Sequence, residues 1–192
     1  MNPHLRYVQS IPGQFKEKLT SLGILESRQI LRVLDAVTLI EDSNCLSKKD
    51  IKKLEKWIAK FNDWLYNNEF CYQEKYRPNN HGTYYDYQVV GYFIYLNEDE
   101  KAEEILKAAQ YTKLASHIGS NGQNFHELER TRPLYYSIFD LEAFVGLAVY
   151  EDRYENINFD GFVKILIIAT EKYNTDEYKE EIKKLWEKIL KI

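Results

Sequence analysis

The sequence predicts an all-α protein, and two observations lead to this fold class. Apolar residues recur at helical spacing over most of the chain, and glycine and proline are scarce, at 8 and 4 of 192 residues. The hydrophobic share of 44% and the charged share of 29% are those of a folded globular chain. We expect one helical domain over residues 1–192, with about seven helices and no strand.

The composition also excludes some classes of partner. A net charge of −4 and a pI near 5.7 argue against a dedicated nucleic-acid-binding protein. No apolar run approaches the ~18–20 residues that span a bilayer, so we expect no membrane partner. Cys45 and Cys71 lie far apart and match no metal or redox motif, which predicts two ordinary thiols.

The first part of the chain divides into an irregular start and two helices. Residues 2–14 contain two prolines and a Pro12-Gly13 turn, so we expect them to be irregular. Apolar residues at helical spacing predict a helix from Ser27 to about Glu41. Ser47 and Asp50 form a capping box for a long amphipathic helix that follows them.

A polar stretch then leads into a buried helix: Asn79-Asn80-His81-Gly82-Thr83-Tyr84-Tyr85-Asp86-Tyr87-Gln88. Thr83 and Asp86 form a Thr-x-x-Asp capping box, which predicts a helix over Tyr84–Leu96. Asn80 and His81 would then lie at a helix N-terminus, where free N–H groups and the positive dipole end favour an anion. An amide and an imidazole suit a carboxylate ligand there. The alternative is a capped helix with an incidental histidine.

The second half of the chain is predicted to be helical apart from its connecting loops. A helix from about Glu100 to Ile118 precedes a glycine-containing loop at 119–123. Pro133 suits the first turn of the next helix, which we expect near Pro133–Glu151. Two last helices are expected at about Asp160–Tyr173 and Asp176–Leu190, and the last is strongly amphipathic.

Tyrosine is unusually abundant, with 16 residues against 9 phenylalanines and 3 tryptophans. One interpretation is a sugar-binding groove, because tyrosine combines a flat apolar face with a polar tip. The other is biased codon usage, since lysine, isoleucine and asparagine are plentiful as well. The count alone does not decide between the two.

Three segments carry a family resemblance: Asn79–Asp86; Glu127–Thr131 together with Tyr136-Ser137; and the opening Asn-Pro-His-Leu-Arg-Tyr-Val-Gln-Ser-Ile-Pro-Gly. In this order they resemble signature segments of the alginate lyase superfamily, whose fold is an (α/α) toroid. The resemblance covers nearly the whole chain and implies the C-terminal portion of the catalytic domain, a toroid-type array incomplete at its N-terminal side. The family's tryptophan in the first motif is Tyr84 here, and Gln14–Glu17 replaces its glycine-rich stretch.

The resemblance implies eliminative cleavage of an anionic polysaccharide, alginate or a related uronate polymer, with no obligatory cofactor. Such a lyase removes the proton at C5, beside the carboxylate, and protonates the leaving O4. The site needs donors that neutralise the carboxylate, and a base and an acid for the two protons. The resemblance gives carboxylate binding to Asn80, His81 and Arg130 and proton transfer to Tyr136, with His81 as an alternative base.

A second set of side chains is expected to contact the substrate: Tyr84, Tyr85, Gln88, Trp64 and His126. Several candidates have an equally simple structural interpretation. Trp64 suits the core as well as a sugar platform, and Gln88 suits solvent or a cap as well as the groove. Tyr136 is as suited to packing as to catalysis, and Arg130 is able to pair with Glu127 or Glu129. His4, His117 and His126 form no ligand-like cluster, so no catalytic metal is expected.

Two other functions remain open at this stage. One is a truncated, inactive relative that binds acidic glycans. The other is an interaction protein, in which the edge left by missing N-terminal helices pairs with a second copy or with a complementing chain of a split enzyme. Residues 1–6 have no apolar segment of the signal-peptide type, although the family is typically secreted or periplasmic. The compartment and the preferred uronate are left undecided.

Overall fold

The computed structural model describes residues 2–8, 19–43, 45–154, 167–169, 171–173, 175–177 and 179–189. Its α-helices are α1 (Gln29–Ile40), α2 (Lys48–Asn67), α3 (Glu69–Lys75), α4 (Asn80–Tyr95), α5 (Asp99–Ala109), α6 (Ala115–His117), α7 (Pro133–Glu151) and α8 (Lys179–Ile189). Short 3₁₀ helices occupy Ser21–Arg28 and Glu41–Ser43, and a π-helical turn at Gln110–Leu114 joins α5 to α6. The described residues contain no strand, only an isolated bridge between Ile118 and Asn124. The all-α prediction is confirmed.

Helix α4 lies at the centre of the structure and contacts α1, α2, α3, α5 and α7. Twelve of its sixteen residues are buried. The core around it includes Phe61 and Leu65 from α2 and Phe144 and Leu147 from α7, all fully buried. Burial of such a side chain contributes about 1.5–3 kcal/mol. This packing fixes α4, and with it the position of the helix N-terminus.

The start of α4 differs from the prediction. Asn79 caps the helix, because its side-chain oxygen accepts a hydrogen bond from the backbone N–H of His81 at 3.2 Å. Thr83 lies inside the first turn, where its hydroxyl is 3.1 Å from Nδ1 of the buried His117. The predicted capping role of Thr83 is therefore wrong, since a tertiary contact engages its side chain.

Asp86, the predicted second member of that capping box, is buried beside Lys113. The two charged groups are 4.0 Å apart, and Nζ of Lys113 also donates to the carbonyl of Lys75. Burial raises the pKa of Asp86 to about 6, although the charge of Lys113 acts in the opposite direction. Burial likewise lowers the pKa of Lys113. This pair is part of the packing behind α4.

The remaining predicted elements are matched in part. Ser47 caps α2 by accepting the N–H of Asp50 at 3.2 Å, and α7 and α8 lie where the sequence places them. Helix α3 was not predicted, and the helix expected to reach Ile118 passes through the π-helical turn instead. Most of the helix expected at Asp160–Tyr173 lies outside the described residues. None of the described helices is long and apolar enough to cross a membrane.

Candidate active site

The first backbone N–H groups of α4 all have partners within the protein. The N–H of Asn80 donates to Oε1 of Glu127 at 2.6 Å, and that of His81 to Oδ1 of Asn79 at 3.2 Å. The next two N–H groups of the helix donate to the carbonyl oxygen of Asn79. An anion bound at this helix end would therefore meet side chains, and the free N–H groups expected from the sequence are not available.

Glu127 holds the amide of Asn80. Its Oε1 accepts hydrogen bonds from the backbone N–H and from Nδ2 of Asn80, at 2.6 and 2.5 Å. Both side chains are buried. Burial raises the pKa of Glu127, while the hydrogen bonds from Asn80 act in the opposite direction. Because an ionised carboxylate only accepts hydrogen bonds, the amide nitrogen of Asn80 faces Glu127, and its second N–H remains for another acceptor.

Glu74 holds the ring of His81 in a similar way. Its Oε1 contacts Nδ1 of His81, while its Oε2 accepts from Oγ of Ser21 at 3.0 Å and from Nε of Arg77 at 2.9 Å. Glu74 is fully buried, whereas the side chain of His81 is 13% exposed. The other ring nitrogen, Nε2, makes no hydrogen bond to any described residue. Nε2 is thus the ring nitrogen that a ligand could reach.

Arg130, in the following segment of the chain, contacts both Glu127 and Tyr136. Nη1 of Arg130 lies 3.7 Å from Oε2 of Glu127, and its guanidinium carbon lies 4.1 Å from the ring centroid of Tyr136. The Arg130 side chain is 33% exposed, and Tyr136 is half-buried. Asn80 and Arg130 therefore both contact the carboxylate of Glu127, and Arg130 links this carboxylate to Tyr136. His81 follows Asn80 directly in α4.

A cleft of about 420 Å³ opens between α1, α4 and α7. None of the four predicted catalytic residues lines it, but near neighbours in sequence do. Tyr84 comes one helical turn after His81, and the ring of Tyr135 lies 5.3 Å from that of Tyr136. The walls combine aromatic, cationic and acidic side chains: Arg28, Gln29, Leu31, Arg32, Asp35, Tyr84, Tyr87, Tyr135, Ile138, Phe139 and Glu142.

Arg28 and Tyr84 form one wall of this cleft. The hydroxyl of Tyr84 donates to Oε2 of Glu142 at 3.1 Å, and its ring lies 4.5 Å from that of Phe139. The guanidinium of Arg28 lies over both rings, at 5.5 and 5.1 Å from their centroids. Burial, followed by the charge of Glu142, raises the pKa of Tyr84 well above its ordinary value. Its hydroxyl therefore stays protonated, which suits contact with a ligand and not proton abstraction.

Comparisons with known proteins show the family of this chain. The family model described as Alginate lyase matches residues 1–159. The chain belongs to the alginate lyase family. Its structure is similar to the crystal structure of an alginate lyase from Bacteroides ovatus, with a TM-score of 0.81 and 26% sequence identity over 90% of this chain. The match covers 46% of that protein, so this chain spans less than half of its length. A search of curated proteins finds no significant match.

Two predicted substrate contacts of this alginate lyase family member lie in its core. Tyr85 is 1% exposed, and its hydroxyl donates to the carbonyl of Leu65. Gln88 is fully buried, where its oxygen accepts from the hydroxyl of Ser27 and its nitrogen donates to the carbonyl of Ile24. Neither lines the cleft, and the polar groups of both are engaged by core residues, so neither is part of the proposed site.

Trp64 and His126 are not brought to the cleft either. Trp64 is half-buried, with the rings of Phe61 and Phe70 at 6.0 and 6.3 Å, an arrangement that favours its core interpretation. His126 is exposed and lies next to Glu127 in the chain, and no described contact joins it to the predicted catalytic residues. Its place in the site rests on this adjacency alone.

Glu74 is the site residue that the sequence analysis missed. It belongs to α3, a seven-residue helix without a clear apolar period, and it becomes buried only when Ser21 and α4 pack around it. Glu127 had been named only as one alternative partner of Arg130, and the structure confirms that pairing. Among the described residues, no group of three or more His, Cys, Asp or Glu side chains is arranged to hold a metal ion.

Proposed function

We propose that this protein cleaves a uronate polymer, with alginate as the first candidate, by β-elimination. The observation that carries the proposal is a connected set of side chains: Asn80 and Arg130 both contact buried Glu127, the guanidinium of Arg130 lies over the ring of Tyr136, and His81 is next to Asn80. Membership of the alginate lyase family and the similarity to an alginate lyase of known structure support the same class of reaction.

The reaction is difficult at its first step. The C5 proton of a uronate lies beside a carboxylate, so the carbanion left by its removal faces an existing negative charge. Donors that hold the carboxylate and stabilise the developing enediolate lower this barrier, as an oxyanion hole does in acyl transfer. In the proposed site, Arg130 supplies a cation and Asn80 supplies the N–H that Glu127 leaves free.

Proton transfer is assigned to Tyr136 and His81. As the C4–O4 bond breaks and the C4–C5 double bond forms, the phenol of Tyr136 donates a proton to O4. The C5 proton goes to Nε2 of His81, or to Tyr136 itself if the side chain starts as phenolate, in which case the proton taken from C5 is the one delivered to O4. The partial exposure of both side chains allows a substrate to reach them.

The neighbouring cleft supports a polymeric substrate. Its volume of about 420 Å³ falls within the ~300–1,000 Å³ typical of ligand sites. Tyr135, which lines the cleft and is 39% exposed, presents aromatic surface of the kind on which sugar rings stack, whereas Tyr84 is 3% exposed and its ring lies under Arg28. Arg28 and Arg32 are positioned in the same cleft to pair with the carboxylates of uronate units next to the cleaved bond.

Ultraviolet absorbance during incubation with alginate tests the proposal, because elimination creates a double bond conjugated with the carboxylate. We expect the signal to grow with the unmodified protein. Tyr136→Phe should lower the initial rate at least about 100-fold, the usual contribution of a general acid or base. Tyr111→Phe is the matched control, since Tyr111 is 77% exposed and lies in the π-helical turn.

Two results would count against the proposal. A flat trace from the unmodified protein, shown to be folded by circular dichroism, would contradict cleavage by this chain. If that folded protein still bound alginate, the inactive glycan-binding relative would replace the lyase. Equal loss of rate in Tyr136→Phe and Tyr111→Phe would remove Tyr136 from the chemistry.

A further inference from the structure

Glu74 has an unusual set of partners for a buried carboxylate. It is fully buried, and each of its oxygens is engaged. Oε2 accepts from the hydroxyl of Ser21 at 3.0 Å and from Nε of Arg77 at 2.9 Å, and Oε1 contacts Nδ1 of His81. Burying a carboxylate is costly unless its oxygens are satisfied, and three donors satisfy this one. Its contact with His81, a candidate catalytic residue, points to a role beyond packing.

The chemistry of this contact decides which nitrogen of His81 carries a proton. An ionised carboxylate is an acceptor only, so the ring nitrogen that faces Glu74 has to be the donor. The hydrogen bond made by one ring nitrogen fixes the tautomer and the orientation of the ring. With Nδ1–H directed at Glu74, the neutral ring carries its lone pair on Nε2, the nitrogen without a partner among the described residues.

We propose that Glu74 is a positioning residue that holds His81 in the Nδ1–H tautomer and leaves the lone pair of Nε2 for the substrate. The inference rests on the proposed function for the identity of that substrate, a uronate polymer. It decides between the two roles open to His81, because a neutral ring held in this way accepts a proton at Nε2 and has no N–H there for a carboxylate. Carboxylate binding then falls to Asn80 and Arg130.

Glu74→Gln offers a direct test, because the surrounding donors dictate how the new amide is oriented. Ser21 and Arg77 both donate, so the amide oxygen is expected to take the place of Oε2. The amide NH₂ then faces Nδ1 of His81, which has to become an acceptor, and the ring proton moves to Nε2. The substitution therefore reverses the tautomer at almost unchanged side-chain volume.

Nitrogen-15 NMR of the histidine side chains measures the tautomer of His81 directly. The spectra are recorded at alkaline pH, where histidine rings are generally neutral. We expect the Nδ1–H form in the unmodified protein and the Nε2–H form in Glu74→Gln. Ser21→Ala is the matched control, since it removes a hydrogen bond to the other oxygen of Glu74 and should leave Nδ1–H in place. An Nε2–H ring in the unmodified protein would overturn the inference even if Glu74→Gln failed to fold.

The kinetic result complements the NMR result. We expect Glu74→Gln to lower kcat at least about 100-fold with KM for alginate nearly unchanged, since a ring in the wrong tautomer cannot act as a base. Loss of folding stability alone would not separate kcat from KM in this way. Because the tautomer is measured without turnover, an Nδ1–H ring in an inactive protein would reject the proposed function and keep the inference. If the unmodified protein is active and Glu74→Gln keeps the Nδ1–H tautomer, the proposed function stands and the inference about Glu74 is wrong.

Discussion

At the scale of single residues, two buried glutamates organise the start of α4. Glu127 fixes the amide of Asn80, and Glu74 fixes the ring of His81. Both proposed catalytic side chains are therefore already oriented before a ligand binds, which lowers the entropic cost of ordering the proposed site. Arg130 connects this pair to Tyr136, because its guanidinium reaches Oε2 of Glu127 and also lies over the tyrosine ring.

Glu127→Gln tests the link between Asn80 and Arg130. The amide oxygen is expected to stay with the two N–H donors of Asn80, which turns the NH₂ group toward Arg130 and removes an ion pair of 3.7 Å. We expect KM for alginate to rise roughly tenfold, which corresponds to about 1.4 kcal/mol. Glu129→Gln, an exposed residue of the same segment, is the control. Equal kinetics for the two variants would contradict the role given to Glu127.

Glu151, the last residue of α7, makes stability depend on pH. It is fully buried, and neither of its carboxylate oxygens has a hydrogen-bond partner in the described part of the chain. Burial raises its pKa to about 9 from 4.5. The folded state therefore binds this proton more tightly than the unfolded state, so the free energy of unfolding falls as the pH rises through this window. Between pH 4.5 and 7 the loss is about 3 kcal/mol.

Glu151→Gln should remove this dependence and make the protein more stable at alkaline pH. Urea unfolding at about pH 6.5 and about pH 8.5 isolates the effect, since Asp86 titrates with the same sign but at a pKa of about 6. Asp152→Asn, at the exposed neighbouring position, is the control and should keep the slope of the unmodified protein. A pH slope unchanged by Glu151→Gln would contradict the assignment.

At the scale of elements, the sequence predicts helices well where local signals act alone. Ser47 caps α2 and Pro133 begins α7 as expected, because a capping side chain and a ring-locked first turn need no tertiary partner. Thr83 has the same local signal, but its hydroxyl contacts the buried His117 instead of capping the helix, and Asn79 is the cap.

The residue types of the candidate site could be predicted from the motifs. The burial of Glu74 and Glu127 could not, because it depends on how α3, α4 and the segment before α7 meet.

The close approach of α7 to α4 depends on Gly146. A Cβ at this position would lie 2.5 Å from Cε2 of Tyr87, whose ring stacks on that of Tyr150 at 5.2 Å. Overpacking of this kind costs about 1–3 kcal/mol, whereas alanine gains up to ~1 kcal/mol over glycine in helix propensity. We therefore expect Gly146→Ala to lower the free energy of unfolding.

Thermal unfolding checks this expectation against Val149→Ala on the same helix. Val149 is 41% exposed, so its truncation should change stability by no more than ~0.5 kcal/mol. A Gly146→Ala variant as stable as the unmodified protein would show that the α4–α7 contact tolerates a methyl group, and the tight packing inferred here would be wrong.

At the scale of the whole molecule, the cleft brings together residues from distant parts of the chain. Arg28 precedes α1, Tyr84 belongs to α4 and Phe139 to α7, and the guanidinium lies over both rings. No sequence motif pointed to Arg28, because its position over the rings exists only once these helices pack together.

Arg28→Gln tests whether the cleft binds the polymer beside the cleaved bond. We expect affinity for alginate oligomers to fall about tenfold or more, because a charge-assisted hydrogen bond contributes ~1.5–3 kcal/mol. Arg6→Gln is the control, since Arg6 also lies over an aromatic ring, 5.7 Å from the centroid of Phe70, but outside the cleft. Calorimetric titration that gives the same affinity for both variants would exclude Arg28 from substrate binding.

The central claim, that this protein cleaves a uronate polymer by elimination, is tested most directly by the mass of its products. Elimination leaves each new non-reducing end one water lighter than hydrolysis would, because the C4–C5 double bond forms as O4 departs. We expect mass spectrometry of an alginate digest to show these lighter oligomers with the unmodified protein and not with Tyr136→Phe. Oligomers of hydrolytic mass, or an intact polymer after incubation with folded protein, would contradict the claim.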